Sequence, residues 1–396
     1  MFLNKKILIG ITASISAYKM YSFIRLIKQQ GAEIKVIITP SAKNFVSTTL
    51  LSTFSEHKVY VEFVEEDIWQ NHVHLGRWAD LFVIAPSSCN TIAKLANGIS
   101  DNFLIATYLS CTSPVVIYPA MDEDMWLHPS TQHNIHLLRQ RGNEVVEPSV
   151  GLLASGLYGK GRLPEANEMM IHIEETYFRN ASLSGKKILI TAGPTEEPID
   201  PVRMITNRSS GKMGYAIAEY LYKLGAEVYL ISGPVSIQVR YKGIHVVQVK
   251  TASEMYDACA VFTEKYDIAI FTAAVADFTT THSSEQKIKK SDNALELKLV
   301  QTKDILATFG KHKKDNQKII GFALETEKGE AYAKIKLSQK NADLMVMNQV
   351  ENDNNCFNQD TMRVSFVAQN KTLDFDKMPK IKIAENLSEY IIKNWV

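Results

Sequence analysis

The sequence predicts an α/β protein of two doubly wound, three-layer domains, and three observations carry that reading. Short apolar runs alternate with amphipathic helical stretches along the chain, the order that puts helices on both faces of a parallel sheet. The plan begins again at Lys186-Lys187-Ile188-Leu189-Ile190, which echoes Lys5 to Ile9, and Gly225-Ala226-Glu227 before Val228 to Ile231 echoes Gly31-Ala32-Glu33 before Ile34 to Ile38. The chain also has 396 residues, more than the ~100–200 that one hydrophobic core usually organises.

Taken in order, Ile7 to Ile9 reads as a strand, and Ala17 to Gln30 as a helix with Tyr18, Tyr21, Ile24, Leu26 and Ile27 along one side. Ile34 to Ile38, Leu81 to Ala85 and Val115 to Tyr118 continue the first sheet, with helices at Thr91 to Ala96 and Thr131 to Arg141. The second sheet takes Ile188 to Ile190, Val228 to Ile231, Val246 to Val249, Ile268 to Phe271, Ile319 to Gly321 and Leu344 to Met347. The polar stretch 179–185 reads as a linker between domains 1–178 and 186–396. The motifs after the two opening strands differ, so the halves share an architecture and not a repeated site.

Composition excludes several function classes. Lys plus Arg number 44 against 43 Asp plus Glu, which leaves no field to draw nucleic acid or an anionic membrane surface. Cys89, Cys111, Cys259 and Cys356 lack the paired spacing of a zinc knuckle, a redox dithiol or a disulfide framework, so a reducing cytoplasm is expected. Lys5-Lys6 and the uncharged run to Tyr18 have the outline of a short signal peptide, but the run continues into a helical pattern. It also falls short of the ~20 apolar residues that span a bilayer.

Doubly wound sheets bind ligands outside the carboxyl ends of their strands, so the turns there are the places to look. In the first half Gly10 to Ala17, Thr39-Pro40-Ser41 and Pro86-Ser87-Ser88-Cys89-Asn90-Thr91 are all small or hydroxyl-bearing. Such turns let backbone N–H groups and hydroxyls approach a phosphate at a helix N-terminus, and Ser14 and Ser16 equally suit helix capping. These segments resemble those of flavin-dependent cysteine decarboxylases, whose P-x-S-A-N-T turn matches Pro86 to Thr91 with Cys89 in place of alanine. The resemblance implies flavin mononucleotide (FMN) held by Ala13, Ser14, Ile15, Thr39, Ser41, Ser88, Cys89, Asn90, Thr91 and Ala120 in a flavodoxin-like domain. It aligns the family's catalytic histidine with His72, ahead of Trp78-Ala79-Asp80, and its P-x-M-N-x-x-M-W substrate motif with Pro119 to Trp126. A histidine titrating near neutrality suits removal of a thiol proton while the flavin takes a hydride. A metal site from His72 and His74 is disfavoured, because helical residues two apart do not share a face.

The chain departs from that pattern twice. Asp122 occupies the position of the asparagine that contacts the substrate carboxylate, and an ionised aspartate would repel that group. Either Asp122 binds through another donor, or it is protonated, or the carboxylate lies elsewhere. Ser155 stands in Ala154-Ser155-Gly156 where many relatives carry A-C-G on a mobile lid, replacing the cysteine that protonates the enethiolate. The lid segment 151–162 retains four glycines, Gly151, Gly156, Gly159 and Gly161, and read without the resemblance is a flexible surface loop.

In the second half the run Thr191 to Arg203 followed by Ile205 to Gly214 forms a hydroxyl-rich turn opening a helix at Met213, an anion site by its chemistry. It is not a Walker A loop, since Met213 stands where Ser or Thr would hold magnesium. The run resembles the signature of bacterial, nucleotide-activated phosphopantothenoylcysteine synthetases. Ala273 to Phe278, Lys287 to Lys290, Gly321 to Thr326 and Lys336 to Asn348 match the remaining motifs in order. Together the two halves resemble the bifunctional flavoprotein of coenzyme A biosynthesis along nearly the whole chain. The implied CTP site is Phe271, Thr272, Ala273, Asp277, Lys287, Lys303, Asp304, Ile305, Leu306, Phe322, Lys336 and Lys340 in a Rossmann-like ligase domain, with Mg2+ accompanying the nucleotide. Asn207 would position an acyl-cytidylate, and Lys287 would offset phosphate charge.

The expected chemistry is ligation of cysteine to 4′-phosphopantothenate, then decarboxylation to 4′-phosphopantetheine. Competing readings are a decarboxylase half that stops at the enethiol, a flavin-binding regulatory module without turnover, and a nicotinamide oxidoreductase, whose G-x-G-x-x-G fingerprint is missing. The resemblance further implies a homo-oligomer with trimeric decarboxylase and dimeric ligase contacts, small-molecule substrates, and neither nucleic acid nor membrane as partner.

Overall fold

The computed structural model describes residues 1–65, 67–289, 295–325, 329–349 and 359–396. Lys290, Thr326 and Cys356 lie outside them. Two compact units divide the chain, Met1–Phe178 and Arg179–Val396.

In the first unit six parallel strands lie in the order Val59–Tyr60, Glu33–Ile38, Lys6–Ile11, Leu81–Ser87, Val115–Pro119, Glu144–Val145. Without the edge strand Val59–Tyr60 the order is that of flavodoxin-like sheets. The winding reverses between Lys6–Ile11 and Leu81–Ser87, so the crevice opens beyond Ile11 and Ser87. Interior strands are buried on both faces and therefore apolar throughout; every residue of Leu81–Ser87 is buried. Ile7 and Ile9 pack with Phe23, Ile27, Met169 and Ile173 on one side. Leu8 packs with Phe82, Leu104, Ile117 and Trp126 on the other. The amino-terminal apolar run is thus a central strand of the sheet, and among the described residues no helix is long and apolar enough to cross a membrane.

The first helix corrects the sequence reading. Residues Ile15–Tyr18 form a 3-10 turn and the α-helix is Lys19–Gln29. Its buried face is Met20, Phe23, Ile24 and Ile27, whereas Tyr18 is 59% exposed. The tighter turn shifts the phase of the residues before Lys19, so Tyr18 does not continue the apolar stripe. Lys19 is itself buried, its ammonium donating to Leu163 O at 2.7 Å and Glu165 Oε1 at 2.8 Å.

In the second unit the order is His245–Gln248, Glu227–Ser232, Lys187–Ala192, Ile268–Phe271, Lys318–Glu325, Leu344–Gln349, all parallel, extended by antiparallel Thr361–Ala368 and Lys371–Pro379. The first six follow the Rossmann order with its switch point beside Lys187–Ala192. The antiparallel pair has no counterpart in the sequence reading, because these partly exposed strands lack the continuous apolar run of the parallel interior ones. The polar stretch 179–185 is anchored within this unit. Arg179 donates to Tyr222 O and Ala226 O at 3.0 and 2.7 Å, and Leu183 is fully buried.

Candidate functional sites at the carboxyl ends of the two sheets

Four turns of the first unit are tied side by side by backbone bonds. Thr39 N donates to Ile11 O at 3.0 Å, Thr12 N to Pro86 O at 3.2 Å and Ala120 N to Ser87 O at 3.1 Å. The Thr12 hydroxyl closes the crevice floor, donating to Pro86 O at 2.8 Å and accepting from Ser88 N at 2.9 Å. Ser14 caps the 3-10 turn, and Ser88 caps the helix Cys89–Asn97 by accepting from Thr91 N at 3.4 Å. The positions expected to hold flavin, Ala13, Ser14, Ile15, Thr39, Ser41, Ser88 to Thr91 and Ala120, therefore lie on adjoining turns. The fit to a phosphate-bearing flavin is supported by an orphan: Ser87 Oγ, at the carboxyl end of its strand, is buried without a hydrogen-bond partner. Cys89 keeps its thiol beside Thr131 Oγ1 at 3.3 Å.

His72 opens the helix His72–Trp78, whose cap is Asn71, accepting from His74 N at 2.9 Å. Its ring meets Phe63, Trp69 and Phe103 edge-on, with centroids 5.8, 6.2 and 6.3 Å apart, and its Nδ1 is buried without a partner. The aromatic edges fix the orientation of the imidazole, with that nitrogen turned into the protein.

The predicted lid is a hairpin, Ser149–Leu152 against Tyr158–Arg162, and not an irregular loop. It is seated on the substrate-motif segment by Met121 N to Gly161 O at 3.1 Å and Lys160 N to Glu123 Oε1 at 3.0 Å. A side chain at Gly161 would bring its Cβ within 2.0 Å of Met121 O, which explains the glycine there. At the hairpin tip Ser155 Oγ donates to Asp122 Oδ1 at 2.6 Å. The two positions that depart from the family pattern are therefore partners, a contact across 33 residues of sequence that no local pattern announces.

In the second unit a cavity of about 990 Å³ opens beyond Thr191 and Phe271. Phe271, Thr272, Ala273, Asp277, Lys303, Asp304, Ile305, Leu306, Phe322, Lys336 and Lys340 all line it, as does Asn207. Lys287 does not; it is exposed on the segment after Thr281. That segment is held at its neighbour: Ile288 N donates to Asp200 Oδ2 at 3.2 Å, and Arg203 Nη1 donates to Asp200 Oδ2 at 3.0 Å and Ile288 O at 3.3 Å. Burial raises the Asp200 carboxyl, but backbone N–H donation from Val202, Arg203 and Ile288 together with the Arg203 charge outweighs it, and the group is held below the usual carboxylate range.

Several cavity cations already have partners. Lys340 Nζ meets Asp304 Oδ2 at 2.5 Å, and Asp304 also caps the helix Ile305–His312 through Ala307 N at 2.7 Å. Lys303 lies over the Tyr256 ring at 4.3 Å. Lys212 pairs with Asp360 at 2.7 Å, and that hydrogen bond lowers the Asp360 carboxyl. Asn207 Nδ2 donates to Val275 O at 2.9 Å and Ala274 O at 3.4 Å. Gly214 lets the helix Lys212–Lys223 approach the sheet, since a Cβ there would stand 2.5 Å from Thr272 Oγ1. Sequence reasoning missed Gln301, Thr302, Met362 and Lys380 among the lining residues. Asn348 closes the last quoted motif, but Met362 lies on the unrecognised antiparallel extension and Lys380 opens the helix Lys380–Trp395 that follows it, and neither carries a local signal. Among the described residues no group of three or more His, Cys, Asp or Glu could hold a metal ion.

Residues 1–177 match the family described as "Flavoprotein", and residues 183–394 match "DNA/pantothenate metabolism flavoprotein C-terminal domain". A cysteine/cysteine sulfinic acid decarboxylase from an unknown prokaryotic organism is 42% identical over 354 residues, 88% of this chain and 99% of that protein. The coenzyme A biosynthesis bifunctional protein CoaBC of Bacillus subtilis is 44% identical, covering 90% of this chain and 89% of its own. A crystal structure of the C-terminal domain of a coenzyme A biosynthesis bifunctional protein CoaBC aligns with TM-score 0.46 at 39% identity, over 54% of this chain and 97% of that one. With both halves matched in order and the similarity running through nearly the whole chain, the protein belongs to the family of bifunctional coenzyme A biosynthesis proteins.

Proposed function

We propose that the second unit joins cysteine to 4′-phosphopantothenate at the expense of CTP, and that the first unit decarboxylates the product to 4′-phosphopantetheine. The observation that supports the reading most strongly is the cavity in the second unit. It is lined by the whole expected nucleotide set apart from Lys287, together with Asn207. In the ligase half the phosphopantothenate carboxylate attacks the α-phosphorus of CTP, pyrophosphate leaves, and the cysteine amine displaces CMP from the acyl-cytidylate. Lys336 and Lys340 offset triphosphate charge, Lys340 exchanging Asp304 for phosphate oxygens. Mg2+ accompanies the triphosphate, with the phosphates supplying most of its ligands. Lys287 reaches the site by movement of the segment anchored at Asp200.

In the decarboxylase half FMN rests on the four adjoining turns, and when bound it supplies reversible hydride acceptance from the thiol-bearing carbon. His72 takes the thiol proton as general base. The hairpin 149–162 covers the substrate and excludes water. Trimeric contacts of the first unit and dimeric contacts of the second belong to the same reading, and the exposed Val64, Ile68 and Trp69 beside His72 favour an interface there.

Mass analysis of products from phosphopantothenate, cysteine, CTP and Mg2+ tests the scheme. It predicts phosphopantetheine, CMP, pyrophosphate and CO2; failure to form the amide removes the ligase assignment. The similarity to a cysteine/cysteine sulfinic acid decarboxylase favours a second reading, in which the flavin half takes free cysteine. Incubation with cysteine alone separates the two, cysteamine being the product of the second.

A further inference from the structure

Asn207 stands just beyond the short strand Met204–Thr206, and both Thr206 and Asn207 are exposed, so burial does not fix the Asn207 side chain. Resting on the ligase reading, we propose that Thr195 is a positioning residue for the amide-forming step. Through the turn 274–276 it fixes where the Asn207 amide stands in the cavity.

Three observations carry this. First, Thr195 is fully buried and bonded to two segments through two different atoms. Its Oγ1 accepts from Ala276 N at 3.0 Å, and its carbonyl oxygen accepts from Thr206 Oγ1 at 2.8 Å. Second, these bonds close a ring. Asn207 Nδ2 donates to Val275 O at 2.9 Å and Ala274 O at 3.4 Å, so the path from Thr195 Oγ1 through Ala276 and Val275 reaches Asn207 and returns through Thr206 to the Thr195 carbonyl. Asn207 is thereby held at both ends, its side chain by the turn and its backbone by its neighbour. Both partners of Nδ2 are carbonyl oxygens, so the amide cannot flip without setting oxygen against oxygen. Third, the other side chains that hold the turn do not reach Asn207's segment. Thr302 Oγ1 donates to Ala276 O at 2.7 Å and Thr191 Oγ1 accepts from Ala273 N at 3.3 Å, but of the three threonines Thr195 is the one also bonded to Thr206.

Thr195 does not line the cavity, so it acts on the ligands through Asn207 and not by contact. In the amide-forming step the acyl-cytidylate and the cysteine amine must meet in line, and a displacement of about 1 Å in a positioning group can cost ~100-fold in rate. The activation step draws on other residues of the cavity, the lysines and Asp277 among them, and does not depend on where the ring holds Asn207.

The test uses the full-length protein and reads the two half-reactions separately. Pyrophosphate released from phosphopantothenate, CTP and Mg2+ without cysteine reports activation; added cysteine then reports amide formation. Thr195→Val keeps the shape and removes the acceptor of Ala276 N. It should slow amide formation ~10-fold or more and let acyl-cytidylate accumulate, with pyrophosphate release within ~3-fold of the parent. Thr195→Ser keeps the hydroxyl and should restore the amide rate. Added to Asn207→Ala, Thr195→Val should change that rate by no more than ~2-fold, because the two act by one route. Thr206→Val opens the same ring from its exposed side, where folding is not at stake, and should show the same split. Unchanged amide formation in both valine variants, an equal fall of both half-reactions, no rescue by serine, or a multiplied loss in the double variant overturns the role of Thr195. Failure of the parent to release pyrophosphate from CTP with phosphopantothenate instead overturns the ligase reading, whatever the variants do.

Discussion

The two units answer the same architectural question differently. In the second, one chain gathers the expected nucleotide residues apart from Lys287 around one cavity, reaching in from several strand ends and helices. In the first, the flavin turns, the His72 cluster and the Asp122–Ser155 pair are three groups, and among the described residues no hydrogen bond or ring contact joins His72 to the other two. The sheets share a winding, so the difference comes from what hangs on the loops. A ligand the size of a nucleotide is enclosed by loops converging at one switch point, whereas a reaction that moves a hydride and two protons needs donors arriving from several directions.

The sharpest test of that separation is His72→Asn. Decarboxylation should fall by at least ~100-fold, the loss typical of a removed general base, while ligation is unchanged and phosphopantothenoylcysteine accumulates by mass analysis with flavin still bound. Phosphopantetheine formation near the parent rate would take His72 out of the mechanism. Gly161→Ala should also spare ligation. Its Cβ collides with Met121 O, so the hairpin must lift, decarboxylation should drop by ~10-fold or more, and protease cleavage within 149–162 should accelerate. An unchanged cleavage pattern would show that the hairpin is not seated as described.

In the other half Asn207→Asp should leave decarboxylation alone. The amide donates to two carbonyl oxygens, and a carboxylate there faces the same acceptors with no proton to give. Pyrophosphate release should persist more than amide formation does, and acyl-cytidylate should become trappable. If both fall equally, Asn207 acts in the first step.

Lys287→Gln should be milder in binding than in chemistry, because Lys287 stands outside the cavity. CTP affinity should stay within ~3-fold while pyrophosphate release slows ~10-fold or more; the opposite split would place the lysine in the ground-state site. The smallest expected effect is that of Asp200→Asn. Its folded-state carboxyl is held below the usual range, so its contribution to stability is present above the unfolded carboxylate range and fades as pH falls through the folded value. The variant should therefore unfold more easily than the parent at pH 7 and converge with it in acid, and exchange of the Ile288 amide should quicken at neutral pH. A deficit that persisted unchanged into acid would assign the loss to packing and not to charge.

Local pattern determined much of this protein. The buried parallel strands are legible because both their faces are covered and they must be largely apolar, as Leu81 to Ala85 shows. The restart at Lys186 is legible because a second sheet needs a second opening strand, and the hydroxyl-rich turns because a phosphate site needs small residues at strand ends. The phase of the first helix was misread at Tyr18, since a 3-10 turn does not alter composition. Nor could spacing reveal the antiparallel extension that brings Met362 and Lys380 to the cavity. The pairing of Ser155 with Asp122 was likewise decided only by the tertiary structure. A sequence records what each segment can be by itself, through periodicity and propensity. Which side chains meet across 33 residues depends on how a hairpin seats on a neighbouring segment, and that is fixed by Gly161 against Met121 and Lys160 against Glu123.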